Sequence, residues 1–326
     1  MTTLDTSAAP TRRALPARRV RVGDLALHGI SALAAAAAVV LVGLITYKVI
    51  REAWPAIDEF GIGFLSHAVW DPVTNNFGAA SFLFGTALTS LVALAIAGPL
   101  SIAIALYLTE LAPRFLRGPI TALVETLAAV PSVVVGLWGI LVLGPLLRDH
   151  VEPFLHSILG WIPLFGEPQE TSASMFTAVV VLTIMIIPIV SSISRELFLG
   201  VPRELKEGAL ALGTTRWEMI RAVVFTYARG GIAAALILGL GRAVGEAIAV
   251  TQVIGGGTII HWNLFSNGDT LASKIAASYQ GAQSNLQVAA LVYLALILLV
   301  FSLIVNLAAQ WIVRRSARKH GGVQRI

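Results

Sequence analysis

The chain has 326 residues, 56% of them apolar and 13% charged, with 23 basic against 18 acidic residues and no cysteine. At a mean hydropathy of +0.81 it lacks the polar surface a soluble domain of this length needs, so it is a polytopic membrane protein. The absent thiols exclude disulfide scaffolds, iron–sulfur clusters and cysteine catalysis, and six scattered histidines without a close pair give no metal spacing. His150 and His156 share a polar loop with acids and read as ordinary solvated residues.

Crossing a hydrocarbon core takes about 20 apolar residues. Five arginines within 1–24 precede the first apolar run, 25–49, which is long enough to span and lacks a clear cleavage site; it reads as an uncleaved anchor rather than an export signal. An acidic loop, 50–79, follows it. Further spans are expected at 80–109, 119–147, 173–194, 229–254 and 286–313, and a second basic tail occupies 314–326. The 110–118 turn and the 195–228 loop are basic, whereas 50–79 and 148–172 are acidic and 255–285 is nearly neutral. Lys and Arg gather on the cytoplasmic side of membranes, so this alternation places both termini in the cytoplasm. Pro99, Pro131, Pro145 and Pro188 are expected to kink or break the spans, and Trp54, Trp70, Trp161 and Trp262 to anchor outer loops at the interface. The net charge of +5 follows from topology and does not suggest nucleic acid.

The 195–228 loop is charge-laced in a chain poor in charge. A short amphipathic helix between two spans has no core of its own, and its natural use is to be gripped by a partner. Glu207 can meet basic groups or backbone donors, Ala209 and Gly213 four residues apart present a flat face, and Trp217 and Ile220 add apolar contact. Glu207-Gly208-Ala209, Gly213, Val223 and Phe225-Thr226 resemble, in register, the cytoplasmic signature of permeases of ATP-binding-cassette importers; Val replaces the usual Ile and Phe-Thr the usual Leu-Pro. The lysines at 48, 206, 274 and 319 follow Tyr, Leu, Ser and Arg, so no Gly-Lys pair exists to cradle nucleotide phosphates. The chain is not expected to be an enzyme, and no nucleophile–base–metal set is visible in it.

Inside the fifth expected span lie Arg242 and Glu246. Charges at such depth are costly and mark substrate paths, and the i,i+4 spacing lets the two pair. An unpaired Arg would trap an anion; a carboxylate that competes for it permits release. Ser132 beside Pro131, and Thr251 beside Gln252, are further candidate lining donors. The run Gly241–Thr251, with Val130-Pro131-Ser132 through Gly139, looks like the signatures of phosphate-importer permeases of the PstC/PstA type. The likeness runs from about 80 to 313, and the extra first span with its long outer loop favours the PstC-like branch.

That resemblance implies an all-α permease fold of the type I importer class with six transmembrane helices, in the bacterial plasma membrane. It implies a PstA-like second permease, a PstB-like ATPase dimer that binds the ATP and Mg, and a PstS-like phosphate-binding protein outside. No cofactor is expected on this chain, whose other contacts are membrane lipid. Arg242 and Glu246 occupy the family's charged positions. Sulfate or molybdate is the alternative substrate within the class. A secondary anion carrier would need neither the Glu207–Gly213 loop nor an ATPase, and a membrane scaffold that senses phosphate without moving it is a third reading.

Overall fold

The computed structural model describes residues 22–320. It is helical almost throughout, and six helices are long and apolar enough to cross a membrane. The elements in order are α1 (Val22–Phe60), α2 (Ala80–Leu111), α3 (Arg114–Ala129), α4 (Ser132–Leu159), α5 (Met175–Leu199), α6 (Arg203–Ala211), α7 (Arg216–Gly245), α8 (Ile248–Val253), α9 (Leu271–Ser278) and α10 (Asn285–His320).

Two units are distinguished, one ending at Lys48 and the other beginning at Val49. In the first, the side chains of Leu27, Ile30, Leu33 and Val39 are all exposed, as an apolar surface facing lipid requires. The second is organised around α5, whose buried Val179, Leu182, Ile186 and Val190 pack with Ala93 and Ala97 of α2 and Ala235 and Ala243 of α7. Small residues on α2 and α7 allow that approach: a Cβ on Gly239 would lie 2.8 Å from Val190.

A second core joins the segment after α1 to α9 and α10. Residues Trp70–Asp71 and Asn76–Phe77 form a two-strand hairpin in which Trp70 opposes Phe77, with ring centroids 4.8 Å apart. Trp70 is therefore buried in packing and is not an interfacial anchor, unlike the exposed Trp54, Trp161 and Trp262. Lys274 of α9 places its ammonium 5.4 Å from the ring centres of both Trp70 and Phe82, a distance at which an aromatic face attracts a cation.

Two of the apolar stretches are interrupted. The stretch expected at 119–147 breaks at Val130-Pro131, where ψ is 127° and 137°. Proline has no N–H to continue a helix and forces its predecessor to extend, so α3 stops and α4 starts afresh, the N–H groups of Val134 and Val135 donating to Pro131 O. α3 buries no side chain and α4 runs on to Leu159, beyond the expected boundary. Pro99 and Pro188 remain inside unbroken helices. The second interruption, at 246–247, lies in the candidate site.

Candidate substrate path

The fifth apolar stretch is two helices. α7 rises without a break from Arg216, with one wide turn at Ile220–Val224, and ends at Gly245. Glu246 then adopts an extended conformation (φ −72°, ψ 118°), and α8 begins at Ile248. The Glu246 carboxylate serves both sides of the break. Its Oε1 accepts from the Ala249 N–H at 3.4 Å, satisfying a donor that the start of a helix leaves open. Its Oε2 accepts from Arg242 Nη2 at 3.1 Å.

The i,i+4 pair expected from the sequence therefore forms, although the helix that would carry it does not continue through it. Arg242 sits in the last turn of α7, where the negative end of the helix dipole favours a cation. Counted from Arg216 it lies roughly 39 Å along the helix at 1.5 Å per residue, because α7 begins well before Arg229. Burial divides the pair: the Glu246 side chain is 6% exposed and that of Arg242 46%. The carboxylate is fixed and the guanidinium is open.

What Arg242 opens onto is a cavity of about 670 Å³ between α5, α7 and α10, lined by Leu238, Gly241, Arg242, Asn306, Gln310 and Val313 among others. Asn306 and Gln310 were missed in the sequence. Their signal is two amides four residues apart in the second half of a largely apolar final span.

The other candidate path residues are placed differently. Ser132 opens α4, half exposed, in the turn that packs on α8, where a Cβ on Gly136 would lie 2.8 Å from Ala249 Cα. It is brought near the break but not to the lining of the Arg242 cavity. Thr251 does not fit a free lining donor: its hydroxyl is directed to Ala247 O at 2.7 Å and Ser273 O at 3.3 Å, and one proton serves both.

At the far end of α7, the 200–215 loop departs from the flat-faced helix expected. α6 ends at Ala211, and Gly213 (φ 84°) makes the left-handed turn that stops it, so Ala209 and Gly213 do not share a helix face. Thr215 and Glu218 form a reciprocal capping box that starts α7. Glu207 and Trp217 are exposed and available to a partner. Ala209 is half buried, and Ile220, 3% exposed, packs with Phe198, Val201 and Val224 inside the chain. Ile220 thus anchors the loop instead of offering contact to a partner. Lys206 ties the loop to α2 and to α5, donating to Glu110 Oε1 at 2.6 Å and to Phe198 O at 3.2 Å, a link the sequence does not show.

Six membrane-crossing helices, a capped polar loop at one end of the bundle and an open arginine at a broken span together define a membrane permease subunit. The chain belongs to the family described as binding-protein-dependent transport system inner membrane component, whose family model matches residues 97–318. It is 39% identical over 318 residues to a protein of Mesorhizobium japonicum named "Phosphate transport system permease protein PstC", covering 96% of this chain and 97% of that one. A Haemophilus influenzae protein of the same name is 40% identical over 294 residues, covering 89% of this chain and 93% of its own length. Among solved structures, a bacterial alginate ABC transporter superposes with a TM-score of 0.60 at 16% identity, covering 90% of this chain and 96% of the other. The MetNI methionine transporter in an inward-facing conformation gives 0.52 at 20% identity, covering 72% and 94%. At these identities the fold is what is shared.

Proposed function

We propose that this chain is one permease subunit of an ATP-driven phosphate importer and forms half of the translocation path. Arg242, open to the cavity while its partner Glu246 is buried, carries the anion reading. Near-full-length likeness to proteins named for phosphate transport supplies the identity of the anion.

A tetrahedral oxyanion meets the open guanidinium at the end of α7. Glu246 competes for that guanidinium, so the anion is held by a difference between two attractions and leaves when the difference reverses. The termini and the 200–215 loop face the cytoplasm in this reading, as their basic residues favour. Glu207 and Trp217 dock a PstB-like ATPase, which binds ATP and Mg and drives the cycle. A PstA-like permease supplies the other half of the path, and a PstS-like protein delivers phosphate on the outer side.

The test is labelled-phosphate uptake by proteoliposomes holding the complete assembly, with ATP turnover followed in the same vesicles. Arg242→Gln is expected to abolish uptake while assembly and basal hydrolysis persist. Glu207→Ala is expected to uncouple hydrolysis from uptake. Transport of sulfate or molybdate in place of phosphate would overturn the substrate, and uptake without any ATPase subunit would overturn the class.

A further inference from the structure

The cavity beside Arg242 holds two more polar side chains than an attraction for anions requires. Asn306 and Gln310 stand one turn apart on α10, roughly 6 Å along the axis, and both line that cavity. Among the described residues Asn306 makes a single side-chain hydrogen bond, Nδ2 to Ser302 Oγ at 3.4 Å, and Gln310 makes none. Amides in a membrane span ordinarily bond across to a neighbouring helix, because hydrocarbon offers no substitute for water. The facing stretch of α7 offers nothing of the kind. Gly230, Ala234, Ile237, Leu238 and Gly241 are without side-chain polar atoms, and Arg242 is the polar exception. Gly241 also brings the two helices together: a Cβ there would lie 3.8 Å from Asn306 Oδ1 and 4.0 Å from Nδ2. The Asn306 amide is thus held against the residue next to Arg242, and Gln310 continues the polar row along the same cavity.

We infer that Asn306 and Gln310 complete the oxyanion site with Arg242 and select a tetrahedral oxyanion that retains a proton, such as phosphate, over a fully ionised one, such as sulfate. This rests on the reading of Arg242 as a path residue. A guanidinium only donates, so it holds either anion. A carboxamide both donates and accepts. Near neutral pH phosphate carries at least one P–OH, which an amide oxygen accepts while the amide NH₂ donates to a P–O oxygen. Sulfate has no hydrogen to offer, so the same amide oxygen faces an anion's lone pairs. A polar site built for a hydrogen bond rejects the analogue that lacks it far more strongly than an apolar pocket can.

The chain has no cysteine, so Leu238→Cys provides a single reporter thiol in this subunit on the cavity wall. In the complete assembly in nanodiscs, alkylation of that thiol is followed by mass spectrometry of this subunit under increasing phosphate or sulfate. Phosphate is expected to protect at concentrations at least about tenfold lower than sulfate, as the loss of one hydrogen bond to a charged group implies. Adding Asn306→Leu, near in size to Asn, should raise the phosphate requirement about tenfold and bring the two anions within about twofold of each other. Asn306→Asp, which keeps the acceptor, should still reject sulfate. If the Leu variant fails to assemble, Asn306→Ala is read by the same criteria. Equal protection by sulfate and phosphate in the parent overturns the inference, as does unchanged selectivity in Asn306→Leu or a loss of selectivity in Asn306→Asp. If Arg242→Gln removes protection while the Asn306 and Gln310→Leu variants leave it intact, Arg242 remains in the path and the amides do not. An assembly that neither moves phosphate nor is protected by it fails at the proposed function instead.

Discussion

Glu246→Gln separates the two duties of one side chain. The glutamine amide oxygen can still accept from Ala249 N–H, so the break between α7 and α8 is retained, while the charge opposing Arg242 disappears. A hydrogen bond between charged partners is worth about 1.5–3 kcal/mol. The larger cost of breaking a fully buried ion pair does not apply, because Arg242 is half exposed and water can replace the lost partner. At about 1.4 kcal/mol per factor of ten, the freed guanidinium should hold phosphate about 10- to 100-fold more tightly. Release then slows and the uptake rate falls by a similar factor, although the site binds better. The assay pairs protection of a cavity thiol by phosphate with uptake in proteoliposomes. Weaker phosphate binding in Glu246→Gln, or an unchanged uptake rate, would refute the competition between Glu246 and the anion.

Other consequences follow from the packing. Gly85→Ala would drive a Cβ into the backbone oxygen of Asp269, so it should lower the melting temperature of the purified protein by a stability loss of about 1–3 kcal/mol, or prevent folding. Glu110→Gln leaves the half-buried Lys206 ammonium without its countercharge and should destabilise the 200–215 loop by about 1–3 kcal/mol, read as faster amide exchange confined to residues 200–220. Trp217→Ala, at a side chain 62% exposed, should leave stability of the isolated chain within about 0.5 kcal/mol while weakening ATPase binding about tenfold or more. Burial pushes the Asp269 carboxyl above its ordinary value of 3.8, against the opposing pull of Ser273, Lys274 and Thr270. A raised carboxyl binds its proton more tightly in the folded state, so its contribution to stability is complete below about pH 3.8 and is lost as pH rises through the folded value. Asp269→Asn should remove that decline from the pH profile of thermal stability.

Hydropathy located the apolar stretches because the energy of burying a whole span in lipid is dominated by its side-chain composition. It could not show where helices stop within them. Pro131 announces its break, since the missing N–H is a local property. Gly245-Glu246-Ala247 does not, because Glu and Ala are good helix formers; there a carboxylate takes the place of a backbone acceptor, and only the folded chain shows it. The Arg242–Glu246 pairing was legible for a related reason: any helix places i and i+4 together, and the last turn of α7 suffices. Ile220 was misassigned because an amphipathic pattern says that one face is apolar without saying whether the partner is another chain or this one. Thr251 looked like a free donor only until the carbonyls of Ala247 and Ser273 were placed beside it. Asn306 and Gln310 were in plain view in the last span and meant little until α7 brought Arg242 to the same cavity.

The interruption at 246–247 also sets an order of assembly. A continuous helix can enter a bilayer alone, since its backbone is satisfied within itself. The six residues of α8 cannot. Val253 O is taken by the Ser174 N–H at the start of α5, Ile254 O by the Gly268 N–H, and the Thr251 hydroxyl reaches Ser273 O. Two of those three partners come later in the chain, so α8 cannot reach its final place until residues 268 and 273 have left the ribosome. The Arg242–Glu246 ion pair, by contrast, lies within five residues of chain and needs no later segment to form.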